Sequence, residues 1–157
     1  MKKILRKYTT VPPELYVHRD ADRQLRNIID EMERPGYILV ARQMGKTNLL
    51  LNAKRELEDR ENIFSYIDLS VLYNSSRECF RGIIDTIVET HKDLFGTSLK
   101  QILDCRRTQE LPPHKEYERE LTILLNAFEG RIIILLDEID ALLAVDFSDQ
   151  IFAHLGL

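Results

Sequence analysis

Two short stretches hold the residues whose types and spacing can do chemistry. The first is Val40-Ala41-Arg42-Gln43-Met44-Gly45-Lys46-Thr47-Asn48, which follows the apolar run Tyr37-Ile38-Leu39 and leads into Leu49-Leu50-Leu51. It reads as a strand over 37–41, a phosphate loop and a helix. Backbone N–H groups of such a turn and of the helix start point at anionic phosphates, and Gly45 lets the backbone come close without a clash. Lys46 is placed to reach the outer phosphates and the Thr47 hydroxyl to hold Mg2+. The full pattern has a further glycine five residues before Gly45, where this sequence has Val40. The plainer alternative is that Gly-Lys-Thr only opens a helix, with Gly45 in the turn and Thr47 near the cap.

The second stretch is Arg131-Ile132-Ile133-Ile134-Leu135-Leu136-Asp137-Glu138-Ile139-Asp140. Five apolar residues ending in adjacent carboxylates suit a strand buried on both faces whose C-terminal end opens into a crevice. This is a Walker B pattern, in which Asp137 reaches the Mg2+ shell and Glu138, one residue on, activates a water as the catalytic group. Acids also suit a first helical turn. That alternative leaves unexplained why these acids follow the most apolar run in the chain.

Through Ala41–Thr47, the tetrad Asp137-Glu138-Ile139-Asp140 and the upstream Tyr16-Val17-His18-Arg19-Asp20-Ala21-Asp22, the sequence resembles P-loop ATPases of the AAA+ and STAND groups. It is more closely similar to the prokaryotic AAA-like domain family, from about residue 11 to the C-terminus. The resemblance implies a nucleotide site for ATP and Mg2+, with residues 40–48 around the phosphates and Tyr16, Val17 and Arg19 against base and ribose. It also implies that the strand following Walker B inserts between strand 37–41 and strand 132–137. The sequence ends about twenty residues after Asp137. The resemblance thus leads us to expect a half-built site with poor hydrolysis. It leaves two outcomes for the sheet: direct pairing of 37–41 with 132–137, or an open edge that invites association. STAND-like relatives use nucleotide as a conformational switch, so a nucleotide-gated interaction module is an alternative to an ATPase. A truncated remnant that only docks onto a partner is another.

These residues need elements to hold them. Pro12 and Pro13 keep 8–19 extended, and Tyr16 and Val17 can equally staple the next helix. From Asp20, a fitting N-cap, Ala21, Leu25, Ile28, Ile29 and Met32 fall at helical spacing until Pro35-Gly36. Leu49, Leu50, Ala53 and Leu57 give the helix after the loop an inward face. Ile63–Ser70 fits a second strand, with Asp68 at its end as an outer metal contact or a solvated acid. Ser75-Ser76-Arg77-Glu78 reads as a capping box opening a helix striped by Phe80, Ile83, Ile84, Ile87, Val88 and Leu94. Residues 96–115 look like an irregular connection with Arg106-Arg107 in a solvated turn. Tyr117, Leu121, Leu124, Leu125 and Phe128 resume helical spacing up to Gly130.

The coarse order predicts an α/β fold: a three-layer P-loop NTPase arrangement with a parallel sheet, truncated after the Walker B strand. We divide it into an extended segment 1–19 and a partial ATPase domain 20–157. The 157 residues, 44% hydrophobic and 31% charged, are enough for one core. A net charge of −4 gives no reason to expect nucleic-acid binding. No apolar run is long enough to cross a bilayer, and Cys79 and Cys105 lack metal-ligand spacing. The expectation is a cytoplasmic protein with reduced thiols, whose partners are a nucleotide and a protein or a second copy of itself.

Overall fold

The computed structural model describes residues 11–31, 36–39, 45–71 and 73–155. They divide into two compact units, Met1–Glu58 and Asp59–Leu157.

In the first unit, Asp20–Glu31 forms helix α1 and Lys46–Leu57 forms helix α2, which pack on one another. Leu25 from α1 and Leu49, Leu50 and Ala53 from α2 are buried, as their spacing requires. Asn52, buried among them, donates to Glu56 at 3.0 Å and to Asp22 at 3.4 Å. The cap of α1 differs from expectation. Asp22 reaches back to accept the Arg19 N–H at 2.8 Å, while Asp20 pairs with Arg23 at 3.4 Å. An acid at the third helical position reaches back to the amide of the cap residue, the half of a capping box that the N-cap side chain does not supply.

The expected strand over 37–41 is corrected where it is described. Residues 36–39 take no strand conformation, and Tyr37 and Leu39 are 56% and 92% exposed. An apolar run supplies the side chains of a buried strand, but its backbone becomes one only where a ladder partner meets its N–H and C=O groups. Residues 40 and 41 lie outside the described residues.

The second unit holds strands β1 (Asn62–Asp68) and β2 (Arg131–Asp137), which pair in parallel with Asn62 opposite Arg131 and Asp68 opposite Asp137. The turn into β1 is set by Asp59, whose carboxylate accepts from the amides of Glu61 and Asn62 at 2.8 and 2.7 Å. Gly130 lets the chain enter β2 beside it. A Cβ at that position would lie 2.5 Å from the Glu61 carbonyl, which itself accepts the Arg131 N–H at 2.7 Å.

Parallel strands need a long crossover, and three helices supply it: α3 (Ser76–Thr90), α4 (Lys92–Thr108) and α5 (Pro113–Ala127). Half of the expected capping box at Ser75 forms: the Ser75 hydroxyl accepts the Glu78 N–H at 3.2 Å, but Glu78 reaches back one residue further and accepts the Asn74 N–H at 3.0 Å. Phe80, Ile83, Ile84, Ile87 and Val88 of α3 are buried against Ile63 and Ile67 of β1 in the main core. The helix stops at His91, whose Nε2 lies 3.1 Å from the Phe64 carbonyl. Leu94 is therefore 44% exposed, and Phe95 takes its expected place inside.

Residues 96–115 are mostly helix rather than an irregular connection. Helix α4 buries Phe95, Ser98 and Ile102, one of them polar and small, so its inward face carries little apolar signal. Arg106 is likewise no solvated turn residue. Its side chain is 10% exposed, and its guanidinium donates twice to Glu120 at 2.8 Å and pairs with Asp85 at 2.9 Å, joining α3, α4 and α5. Glu116, buried, takes Arg77 and Arg81 in the same way. After β2 come a 3-10 turn (Ile139–Ala144) and helix α6 (Ser148–Leu155), which packs on α3. Among the described residues, no helix is long and apolar enough to cross a membrane.

Candidate functional site

Each unit carries one of the two chemical stretches. In the first, Gly45 precedes α2 with φ 78° and ψ 30°, a left-handed conformation that only glycine adopts at low cost. Lys46 and Thr47 begin the helix, and Gly45, at its cap position, has no side chain to accept from its first amides. A helix start concentrates partial positive charge on amides that have no partner within the helix. The Arg19 guanidinium comes to it as well, its Nη1 lying 3.4 Å from where a Cβ on Gly45 would be. Sequence reasoning placed Arg19 at base and ribose, whereas its guanidinium stands beside the turn where phosphates were expected.

Arg19 is held by its neighbours. Its Nη2 donates to the Tyr16 hydroxyl at 3.3 Å, and that hydroxyl donates to Asp22 at 2.6 Å. Burial works against the Asp22 carboxylate, but the Tyr16 bond, the Arg19 amide and the nearby positive charge outweigh it and keep its pKa below the usual value. Burial, followed by the bond to Asp22, pushes the Tyr16 pKa up. Tyr16 thus has a role in the structure that its sequence position did not disclose. Val17 is 77% exposed and staples nothing. The Asn48 side chain accepts the Val11 N–H at 2.8 Å, tying the segment before α1 to α2. Val40, Ala41, Arg42, Gln43 and Met44, the rest of the expected loop, lie outside the described residues.

In the second unit the parallel register brings Asp68 and Asp137 side by side at the strand ends. They differ in environment. Asp68 is exposed and accepts the Ser70 N–H at 2.9 Å, whereas Asp137 is 2% exposed. The Asp137 Oδ1 accepts the Glu138 N–H at 2.9 Å, and its Oδ2 accepts the Tyr66 hydroxyl at 3.0 Å. Glu138 itself is exposed and left-handed, with φ 53°. A non-glycine residue there costs about 1–3 kcal/mol, and such strain gathers at functional sites. Tyr66 gave no advance signal, since a tyrosine inside a strand reads as a strand former.

Among the described residues, no group of three or more His, Cys, Asp or Glu could hold a metal. Magnesium does not need one: it takes one or two carboxylates, keeps several waters and accepts substrate phosphates as ligands. The Thr47 hydroxyl in the first unit and the Asp137 carboxylate in the second are each hard oxygen donors of that type. The cysteines do not enter it. Both are free, and burial pushes the Cys79 thiol up to about 11.

Comparison with known proteins gives a different family picture from the one the motifs suggest. No family model matches the chain, and no solved structure matches it. The chain is similar to an uncharacterized WD repeat-containing protein of Synechocystis sp., with 31% identity over 147 residues. The match covers 89% of this chain and 12% of that protein. The resemblance to the AAA-like ATPase family is therefore corrected: the family comparison does not return it, and the relative that matches is named for WD repeats. WD repeats build four-stranded blades. The described residues are mostly helical and contain one two-stranded parallel sheet, so they form no such blade.

Proposed function

We propose that this chain binds ATP together with Mg2+, the triphosphate lying at the start of α2. The observation that carries the reading is the left-handed Gly45 at the cap position of a helix that opens with Lys46 and Thr47, with the Arg19 guanidinium beside it. Backbone donors, a glycine that admits close approach, a flexible ammonium and a planar guanidinium are what a polyphosphate requires. Lys46 and Arg19 supply charge to the phosphates, and Thr47 supplies a hydroxyl to the metal. Bound Mg2+ would spread the negative charge of the outer phosphates and orient them. Glu138 is the residue we assign to polarising a water. We set hydrolysis second to binding, and a three-layer arrangement and a cytoplasmic setting belong to the same proposal.

The test is calorimetric titration of the chain with ATP and with GTP, each with Mg2+ and with a chelator. ATP binding that is stronger with Mg2+ supports the reading, and no binding of either nucleotide overturns it. Glu138→Gln should leave that binding nearly intact and remove whatever turnover exists, since the amide cannot accept a proton.

A nucleotide-gated interaction module is the second reading. It is favoured by the apolar side chains that α4 leaves in solvent, Leu94, Leu99 and Leu103, at 44%, 36% and 38% exposure. Tight nucleotide binding without turnover, together with a change of size in solution, would select it.

A further inference from the structure

We propose that the outer edge of β2 is a self-association surface, on which β2 of a second copy of this chain pairs antiparallel about a two-fold axis at Ile134. The surface is independent of the nucleotide reading and lies wholly in the second unit. The ladder bonds fix which groups face outward. Arg131 donates its N–H to the Glu61 carbonyl at 2.7 Å, and the Asp137 carbonyl accepts the Leu69 N–H at 3.0 Å. The odd-numbered residues of β2 therefore turn their backbone groups to β1, and Ile132, Ile134 and Leu136 turn theirs away from it. Among the described residues, no second strand runs beside β2, and no hydrogen bond reaches those outward groups. The outer edge of β1 differs. There the Asn62 carbonyl accepts the Asp59 N–H at 3.0 Å, and His91 Nε2 stands 3.1 Å from the Phe64 carbonyl.

Sheet edges are ordinarily blunted by charge, proline or a bulge, and Ile132-Ile133-Ile134-Leu135-Leu136 has none of these. The side chains of Ile132, Ile134 and Leu136 pack on the main core but are only partly buried. A second β2 would join the two sheets into one and extend that apolar layer across the axis. The occupant follows from the order of charge along the strand, Arg131 first and Asp137 last. An antiparallel partner centred on Ile134 sets Ile132 opposite Leu136 and Ile134 opposite its own counterpart, so each outward N–H and C=O meets its complement. The same register sets Arg131 across from Asp137 of the second copy at both ends. Opposite charges directly across favour the pairing, whereas an in-register parallel partner would set like charges together. Opposite sign at that separation suffices, with no bond to the Asp137 carboxylate required. The contact is isologous and uses the outer edge of β2 in each copy, so it closes as a dimer.

The experiment is sedimentation of the full chain over a range of concentrations, together with residue-resolved amide exchange. The expected result is a reversible dimer in which the Ile132, Ile134 and Leu136 amides gain protection as concentration rises. Ile134→Pro removes the central outward donor, a change that an edge strand tolerates, and should leave a monomer with the helical circular dichroism of the parent. Arg131→Glu, at an exposed position, replaces opposite charge by like charge at both ends. It should weaken the dimer about tenfold or more, with Arg131→Gln between it and the parent. The exchange measurement needs no variant, so it decides even where Ile134→Pro fails to fold. A monomer at every concentration overturns the proposal, whether its outward amides exchange freely or are protected, the latter marking an edge covered within one chain. So does a dimer whose outward amides stay unprotected, which places the contact elsewhere, or one that Arg131→Glu leaves as tight as before. Assembly beyond a dimer overturns the closed pairing.

Discussion

Replacing Gly45 by Ala tests whether the start of α2 depends on a left-handed residue. With φ at 78° and ψ at 30°, alanine must hold a conformation in which its Cβ crowds the following carbonyl, at a cost of about 1–2 kcal/mol. Crowding from outside adds little, because the nearest atom to the new Cβ is the Arg19 Nη1 at 3.4 Å, at the end of a flexible side chain. The backbone term should therefore dominate. Asparagine enters the left-handed region more easily than other non-glycine residues, so Gly45→Asn should cost less than Gly45→Ala. A local probe is available in the Leu49 amide, which donates to the Gly45 carbonyl at 3.0 Å. Its hydrogen-exchange protection should fall about 5- to 30-fold in Gly45→Ala, the factor that one or two kcal/mol represents, and less in Gly45→Asn. At a position alanine fits without strain, the same change would stabilise by about 0.4–1 kcal/mol through the unfolded chain. Increased protection in Gly45→Ala would refute the conformation assigned to Gly45, and with it the close approach on which the phosphate reading rests.

Arg106→Met should destabilise the second unit by about 3–5 kcal/mol, because it strands the buried Glu120 carboxylate without its partner. Arg107→Met, one residue on, should stay within about 0.5 kcal/mol in urea denaturation, and equal losses would contradict the pairing. Stability should also fall in acid through Glu116. Burial raises its pKa, but the bonds and charges of Arg81, Arg77 and Arg106 outweigh that and hold it below the usual value. The unfolded chain therefore takes up this proton first as pH drops. The contribution is complete above the unfolded value, about pH 4.3, and is lost as pH falls through the folded one. Glu116→Gln should flatten that acid limb in a pH series of urea midpoints, and an unchanged slope would count against it.

How much was legible depended on whether burial was signalled by apolar residues. Helix α3 could be read because its capping box and five aliphatic or aromatic positions all point one way, and β2 because Ile132–Leu136 offers no alternative. Helix α4 escaped because its inside is Phe95, Ser98 and Ile102, while Gly96 and the outward Leu99 and Leu103 blur the period. Arg106, Glu116 and Glu120 were hidden for a related reason. A charged residue is read as solvent-facing, and only the folded packing of α3, α4 and α5 reveals pairs that cancel inside. At the candidate sites, Gly45, Lys46 and Thr47 declared themselves by order along the chain. The approach of Arg19 to Gly45 and of Tyr66 to Asp137 did not, because each joins residues far apart in sequence whose types alone are ordinary.

The most direct test of the nucleotide reading is the affinity of Mg2+-ATP for the parent chain against Lys46→Ala, measured by calorimetry under identical conditions. Lys46 opens α2 directly after the left-handed Gly45, and its ammonium is the compact cation assigned to the outer phosphates. The expected result is measurable, Mg2+-dependent binding by the parent and its loss in Lys46→Ala, with the helical circular dichroism of the two chains unchanged. Equal affinity of the two chains would contradict the assignment of the start of α2 as the phosphate site.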